Sequence, residues 1–286
     1  MAATTILRPA AVLLALCAVP VAATAQTQQD RTQDRVAFPA HKIIGNVHYV
    51  GTVTLNSYLI TTPQGHILIN TNYEDTVPLL RASVEKLGFT MTDIKIILGS
   101  HAHPDHQQAD ALVKEAAGGA TVMAMEQDVP ALKTMKAPSG KPHPIDRALK
   151  DGDEVTLGGT TLTARLTPGH TRGCTTWTTK VADGGRTYDV VIACAGLQAG
   201  VRLVNNTDYP EIATDFAKSI KTYKALPGEV FLGAHSWFFD LAGKHKRLGS
   251  GANPYVDPAG YKAWVDNQEK SYNALLAEQK KNPSAN

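Results

Sequence analysis

The chain has 286 residues, with 28 Lys and Arg against 26 Asp and Glu, a formal net charge of +2 and 43% hydrophobic residues. That length is enough for one large α/β domain or two ordinary ones. Charges of both signs are interspersed, which excludes the basic stripe of a nucleic-acid or anionic-membrane binder, and no low-complexity run, heptad seam or solenoid repeat is present.

The first stretch, "MAATTILRPAAVLLALCAVPVAATAQ", places Arg8 ahead of an apolar run that ends near Pro20, followed by small residues at Ala23-Thr24-Ala25. This pattern predicts a secretory signal peptide over residues 1–25, cleaved after Ala25, and a single domain over residues 26–286. The apolar run is too short to anchor in a bilayer. Bulky Leu16 before Cys17 argues against lipid attachment there. A periplasmic location follows as an expectation, for a monomer with neither nucleic acid nor membrane as partner. Cys174 and Cys194 remain, too few for a disulfide framework, although an oxidising compartment permits one bridge.

"KIIGNVHYVG", "NSYLITTPQG" and "HILINTN" read as three strands separated by turn residues. "DTVPLLRASVEKLGF" spaces Val77, Leu80, Val84 and Leu87 as a helix. The apolar strand "DIKIILGS" leads into a cluster of histidines, a helical pattern runs from Gln107 to Ala117, and "GATVMAM" is a strand before a helix starting near Glu126. Ala137 to Arg147 reads as an exposed loop. "DEVTLGGTTLTARLTPGH" and "GCTTWTTKVADGGRTYDVVIACAG" read as strand pairs, the second a hairpin turning at Asp183-Gly184-Gly185. A helix near Tyr209–Ala225, the strand "GEVFLGAH" and a helix from Pro258 to Lys281 complete the chain. Periodicity alone leaves a doubly wound sheet open. Two similar halves, each with a sheet covered by helices, point to an α/β fold built as a four-layer αββα sandwich.

Chemistry concentrates at "SHAHPDHQQAD". His101 and His103 lie two apart at a strand end, so alternation points both rings to one side. Asp105 and His106 follow where the chain turns into a helix. Imidazoles and a carboxylate form an N/O donor set suited to a hydrolytic zinc site. A lone histidine at a strand end is usually an ordinary polar residue, but packing offers no reason for four ligand types in one turn. His170, in the Pro-Gly turn of "LTPGHTRGCTTW", and His235, ending the strand of "VFLGAHSWFFD", sit where loops present function on a rigid sheet. His41, His48, His66, His143 and His245 lack such settings and read as surface or packing residues.

S-H-A-H-P-D-H, T-P-G-H-T and G-A-H together resemble the metallo-β-lactamase superfamily, and "TPGHTRGCTTW", "RLVNNTDYPEIATDF" and "VFLGAHSWFFDL" are most similar to subclass B3. The resemblance covers the chain from "GNVHYVGT" to the last helix. It implies the αββα metallo-β-lactamase fold with two zinc ions in a groove between the sheets. His101, His103 and His170 would hold the first, and Asp105, His106 and His235 the second. The implied activity is β-lactam hydrolysis (penicillins, cephalosporins and carbapenems) by a zinc-activated water, with Asp105 orienting it. Lactone and thioester hydrolases share the first motif, as would a metal-binding protein with little catalysis. The hydrolases generally add a bridging aspartate after the second strand pair, where this chain has "VVIACAGLQAG" and no acid.

The chain departs from the family pattern at Gln107 and Gln108, at Gly228, and at Asn70, which stands where relatives often bury an aspartate and is expected to support the ligands by hydrogen bonding. Cys194 is open to three readings: an extra zinc ligand, a thiol behind the ligands, or a small buried residue. A turn centred on Gly184 would set Cys174 and Cys194 opposite each other, and the pair is expected to be close but unbridged. Gln198, Asn205 and Asn206 are candidates for the substrate carboxylate, and the loops near Tyr73 and around residues 137–144 for shaping the groove.

Overall fold

The structure is a computed structural model and describes residue 1, residues 31–198 and residues 200–282. The predicted signal peptide, apart from residue 1, lies outside the described residues. Among the described residues no helix is long and apolar enough to cross a membrane.

Two sheets face each other. The first runs in the order β1 (His41–Ile44), β2 (Val47–Tyr49), β3 (Tyr58–Thr62), β4 (Gly65–Ile69), β5 (Ile94–Leu98), β6 (Thr121–Met125) and β7 (Arg147–Leu149). It is antiparallel through β4 and parallel from β4 to β7. In the second, β8 (Glu154–Leu157), β9 (Thr160–Leu166), β10 (Thr175–Asp183) and β11 (Arg186–Ala193) are antiparallel, and β12 (Val230–Gly233) adds parallel to β11.

The strands of the first sheet are apolar on both faces, as a sheet covered on two sides must be. Tyr58, Ile60, Ile67 and Ile69 point into the space between the sheets and meet Leu162, Ala164, Trp177 and Ile192. Their neighbours Leu59 and Leu68 point the other way, with Ile97 and Val122, onto helices α1 (Val77–Lys86) and α3 (Asp110–Ala116) through Leu80, Val84 and Val113. Slipping the register by one residue would exchange the two cores. Outside the second sheet lie α5 (Ile212–Ala225) and α7 (Pro258–Lys281). α5 buries Ile212, Phe216, Ile220 and Tyr223 on one stripe. α7 starts at Pro258 with the Asp257 side chain accepting from Gly260 N at 2.8 Å. These are the four layers of an αββα sandwich.

The segment after the first histidines is two helices, α2 (Pro104–Gln107) and α3, because Ala109 N is diverted to Asn72 O at 3.0 Å. The loop after α4 (Val129–Thr134) ends in β7, and α6 (Leu241–Lys246) follows β12. Neither β7 nor α6 has enough periodicity to be found from sequence.

Cys174 and Cys194 form a disulfide, with Cα atoms 5.8 Å apart, contrary to the expectation of an unbridged pair. The hairpin turns between Gly184 and Gly185, both at positive φ, with Asp183 paired to Arg186. Carried past Trp177 and Ile192, that register sets Cys194 against Thr175. The bridge is a diagonal one, made where β10 begins and just after β11 has ended, so a strict cross-strand register was not required. Both sulfurs are buried. Replacing both cysteines by serine is expected to cost about 3 kcal/mol of unfolding free energy, from the loop of some 20 residues that is released. Urea titration of the double variant, with a thiol count of zero on the unfolded, unreduced wild type, checks this.

Candidate metal centre

β5 is buried except at Lys95, and it delivers Gly99, Ser100 and His101 to the open end of the cleft. Two hydrogen bonds from the second sheet hold this end: Thr175 N donates to Ser100 O at 2.7 Å, and Trp177 Nε1 to Gly99 O at 3.0 Å. Gly99 has a steric reason. An added Cβ would lie 2.0 Å from Gln107 Cδ, because Gln107 is 2% exposed and packs its amide beneath the strand end. Gln108 reaches sideways, accepting from Glu74 N at 3.4 Å and donating to Lys136 O at 3.3 Å. Gln108 therefore ties the ligand turn to its surroundings by hydrogen bonds, while Gln107 fills the space beneath it.

All six expected ligands meet. His170 Nε2 stands 3.1 Å from His101 Nε2 and 3.1 Å from His103 Nδ1. A tetrahedral zinc with Zn–N bonds of about 2.0 Å spaces its ligand nitrogens about 3.3 Å apart, so this set fits. His106 Nε2 lies 3.2 Å from His235 Nε2 and 3.6 Å from Asp105 Oδ2, and His235 Nε2 is 4.0 Å from that oxygen. The sets adjoin through His101 and His106, whose ring centroids are 4.3 Å apart.

The rings are kept neutral mainly by burial. It pushes His106 down to about 3, helped by His103, and His235 down to about 3, helped by His106. Burial and repulsion from neighbouring rings hold His101 and His170 well below their ordinary value of 6.5. His103 is lowered by burial against the pull of Asp105. Neutral rings with facing lone pairs repel unless a proton or a cation lies between them. The donor chemistry of this site thus fits a divalent metal.

Asn70 hydrogen-bonds beside the ligand turn. Its Oδ1 accepts from Ser100 N at 2.8 Å, and its Nδ2 donates to Asn56 O at 3.2 Å and lies 3.4 Å from His106 Nδ1. Its φ of 64° is one that Asn tolerates better than most side chains. Cys194 Sγ lies 3.6 Å from His101 Nδ1 and 3.1 Å from Ser100 O. Its sulfur is already bonded to Cys174, which removes both the extra-ligand and the free-thiol readings. Gln198 and Asn205 are exposed on the segment after β11. Asn206 is occupied within its own loop, donating to Arg202 O at 2.9 Å and accepting from Tyr209 N at 2.9 Å. Asp189 pairs with Lys180 at 2.6 Å on the strand itself, so it is no bridging acid.

The remaining histidines pack or pair. His41 donates and accepts between Pro39 O and Tyr255 Oη, both at 2.7 Å, and its ring lies 4.6 Å from that of His245. His48 and His66 pack on Phe89, and His143 lies 3.0 Å from Asp110. The loop near residue 139 is clamped by Ser139 N donating to Glu74 at 2.8 Å, close to Tyr73.

Trp237 and Asp34 are among the features of the site that went unread in the sequence. Trp237 stacks on His235, with centroids 4.1 Å apart and planes at 21°. Buried Asp34 accepts from Thr54 Oγ1 at 2.6 Å, and the Thr54 carbonyl faces the His235 ring. The aromatic run "SWFF" was a signal for Trp237. Asp34 offered none, since one acid in a polar stretch looks solvated.

The chain belongs to the metallo-beta-lactamase superfamily, whose sequence model matches residues 50–235. Among solved structures it is similar to the native FEZ-1 metallo-beta-lactamase from Legionella gormanii, at 43% identity and a TM-score of 0.81 over 86% of this chain and 98% of that one. It is also similar to BJP-1, a subclass B3 metallo-beta-lactamase of Bradyrhizobium japonicum, at 35% identity and a TM-score of 0.80 over 87% and 97% of the two chains. A hydroxyacylglutathione hydrolase of Hyphomonas neptunium is 35% identical over 116 residues, 41% of this chain and only 40% of that enzyme.

Acid should destabilise the metal-free protein. Unfolded imidazoles take up protons near pH 6.5, whereas His106 and His235 in the fold resist protonation until about pH 3. The stability contribution of these rings is fully present above about pH 6.5 and is lost as the pH falls toward 3. Urea midpoints measured between pH 7 and 4 should fall with acidity, and more gently in His106→Asn.

Proposed function

We propose that this chain is a zinc-dependent β-lactamase, exported to the periplasm, that holds two zinc ions and hydrolyses the β-lactam amide bond. The observation that carries the reading is the convergence of six ligand side chains in two adjoining sets, with no carboxylate at the end of β11. His101, His103 and His170 would hold one ion, and Asp105, His106 and His235 the other. Bound zinc would supply a Lewis acid for the carbonyl and lower the pKa of water to about 7.

The chain's own residues do the rest. Burial keeps the imidazoles unprotonated, and the stacked Trp237 fixes the ring plane of His235. Asp105, whose Oδ2 faces His106 and His235, would orient the attacking water. Gln198 and Asn205 at the mouth meet the substrate carboxylate, while Asn206 keeps their loop closed. The likeness to a metallo-beta-lactamase over 86% of this chain at 43% identity supports this over a thioester hydrolase, whose matches reach at most 60% of this chain, at 28% identity.

The test is hydrolysis of a chromogenic cephalosporin, a carbapenem and a hydroxyacylglutathione thioester by the protein lacking residues 1–25. Turnover of the lactams should vanish with a chelator and return with zinc, and Asp105→Ala should lower it on the order of 100- to 10,000-fold. Zinc-dependent turnover of the thioester alone would replace the lactamase reading with its rival.

A further inference from the structure

Asp128 ends a turn of 3-10 helix between β6 and α4 and is 2% exposed. It occupies the N-cap of α4, yet its side chain makes no capping bond, although Asp is among the residues best suited to one. The carboxylate turns into the cleft wall instead. Its Oδ2 accepts from Ala102 N at 2.8 Å and from Thr171 Oγ1 at 2.8 Å, and its Oδ1 accepts from Gly173 N at 2.6 Å. Ala102 is the residue between His101 and His103, and Thr171 directly follows His170. One buried anion therefore grips the two loops that carry the three imidazoles whose nitrogens stand 3.1 Å from His170 Nε2 or belong to it.

The approach is tight enough to restrict sequence. A Cβ on Gly173 would fall 2.5 Å from Asp128 N and 2.7 Å from its Cβ and Cγ. Burying a carboxylate is costly unless it is well hydrogen-bonded, and this one accepts three donors. The loops come from different sheets, one following β5 and the other joining β9 to β10. The Thr175–Ser100 and Trp177–Gly99 hydrogen bonds tie the strand ends behind them, and Asp128 adds the tie closest to the ligands, at Ala102 and Thr171.

We infer that Asp128 is a positioning residue for the first metal set: a clasp that fixes the spacing of His101, His103 and His170 without touching the ion. The inference rests on the metal-site reading above. Asparagine in its place keeps the shape but offers one acceptor oxygen, and its NH2 group confronts a donor. The three nitrogens then lose their common spacing, whereas Asp105, His106 and His235 keep theirs.

The experiment is zinc titration of metal-free wild type, Asp128→Asn and Thr171→Val against a chromophoric chelator, paired with visible spectra of the cobalt(II) forms. Asp128→Asn should bind the first ion about 10- to 100-fold more weakly, with a changed cobalt spectrum and unchanged affinity at the second site. Thr171→Val, which removes one of the three donors, should weaken the first site by a smaller factor. It carries the test if Asp128→Asn does not fold. Wild-type affinity and spectrum in the folded variants, with only a lowered Tm, would make Asp128 a structural residue and overturn the clasp. A wild type that binds no zinc would instead overturn the metal-site reading, and the clasp with it.

Discussion

Everything at the open end of the cleft depends on the two sheets being pinned together there. The Thr175 amide and the Trp177 indole donate across the gap to the carbonyls of Ser100 and Gly99, the last residues before the ligand turn. Trp177 is also 1% exposed in the inter-sheet core, so the same ring fills the interior and sets the height of the strand end. Were the sheets to slide, His101 and His103 would move with one and His170 and His235 with the other. The site is a property of the interface between the sheets, and neither sheet alone contains it.

That origin explains the electrostatics. Six polar side chains gather where the packing is nearly closed, and the desolvation that lowers the histidines would be unfavourable without a cation to share. Around them stand supports from every direction: Asn70 beneath, Gln107 under Gly99, Trp237 against His235, and Asp128 across two loops. They act on the backbone beside the ligands or on a ligand ring itself. Distances among the nitrogens are thereby set before any ion arrives, which is what precise ligand geometry demands of a scaffold.

The strands holding Leu59, Ile60, Ile67 and Leu68 were legible as short apolar runs between turn residues, and the first helix by the spacing of Val77, Leu80, Val84 and Leu87, although runs apolar on both faces do not say which side faces which core. The ligand turn was legible because H-x-H-x-D-H after an apolar strand has few uses. What escaped reading depends on tertiary proximity. Asp128 and Asp34 look like ordinary surface acids in a string of letters, and only the fold shows them buried. The hairpin arithmetic brought Cys174 and Cys194 near each other but could not say that they bond. β10 begins at Thr175 and β11 ends at Ala193, so both cysteines lie just beyond the ladder, and register governs only residues inside it.

The buried Cys174–Cys194 bridge also determines which atoms are on offer beside His101. Reduced, it would place two thiols within 4.8 Å of a ring nitrogen of that histidine, a soft-donor group that could itself hold a metal. Thiolates prefer copper(I) and zinc and would compete with the nitrogen and oxygen set for the incoming ion. Joined to each other, the two sulfurs leave that competition. Oxidation of this one pair therefore acts as a choice of metal chemistry, turning a mixed sulfur–nitrogen corner into one that presents nitrogen and oxygen alone.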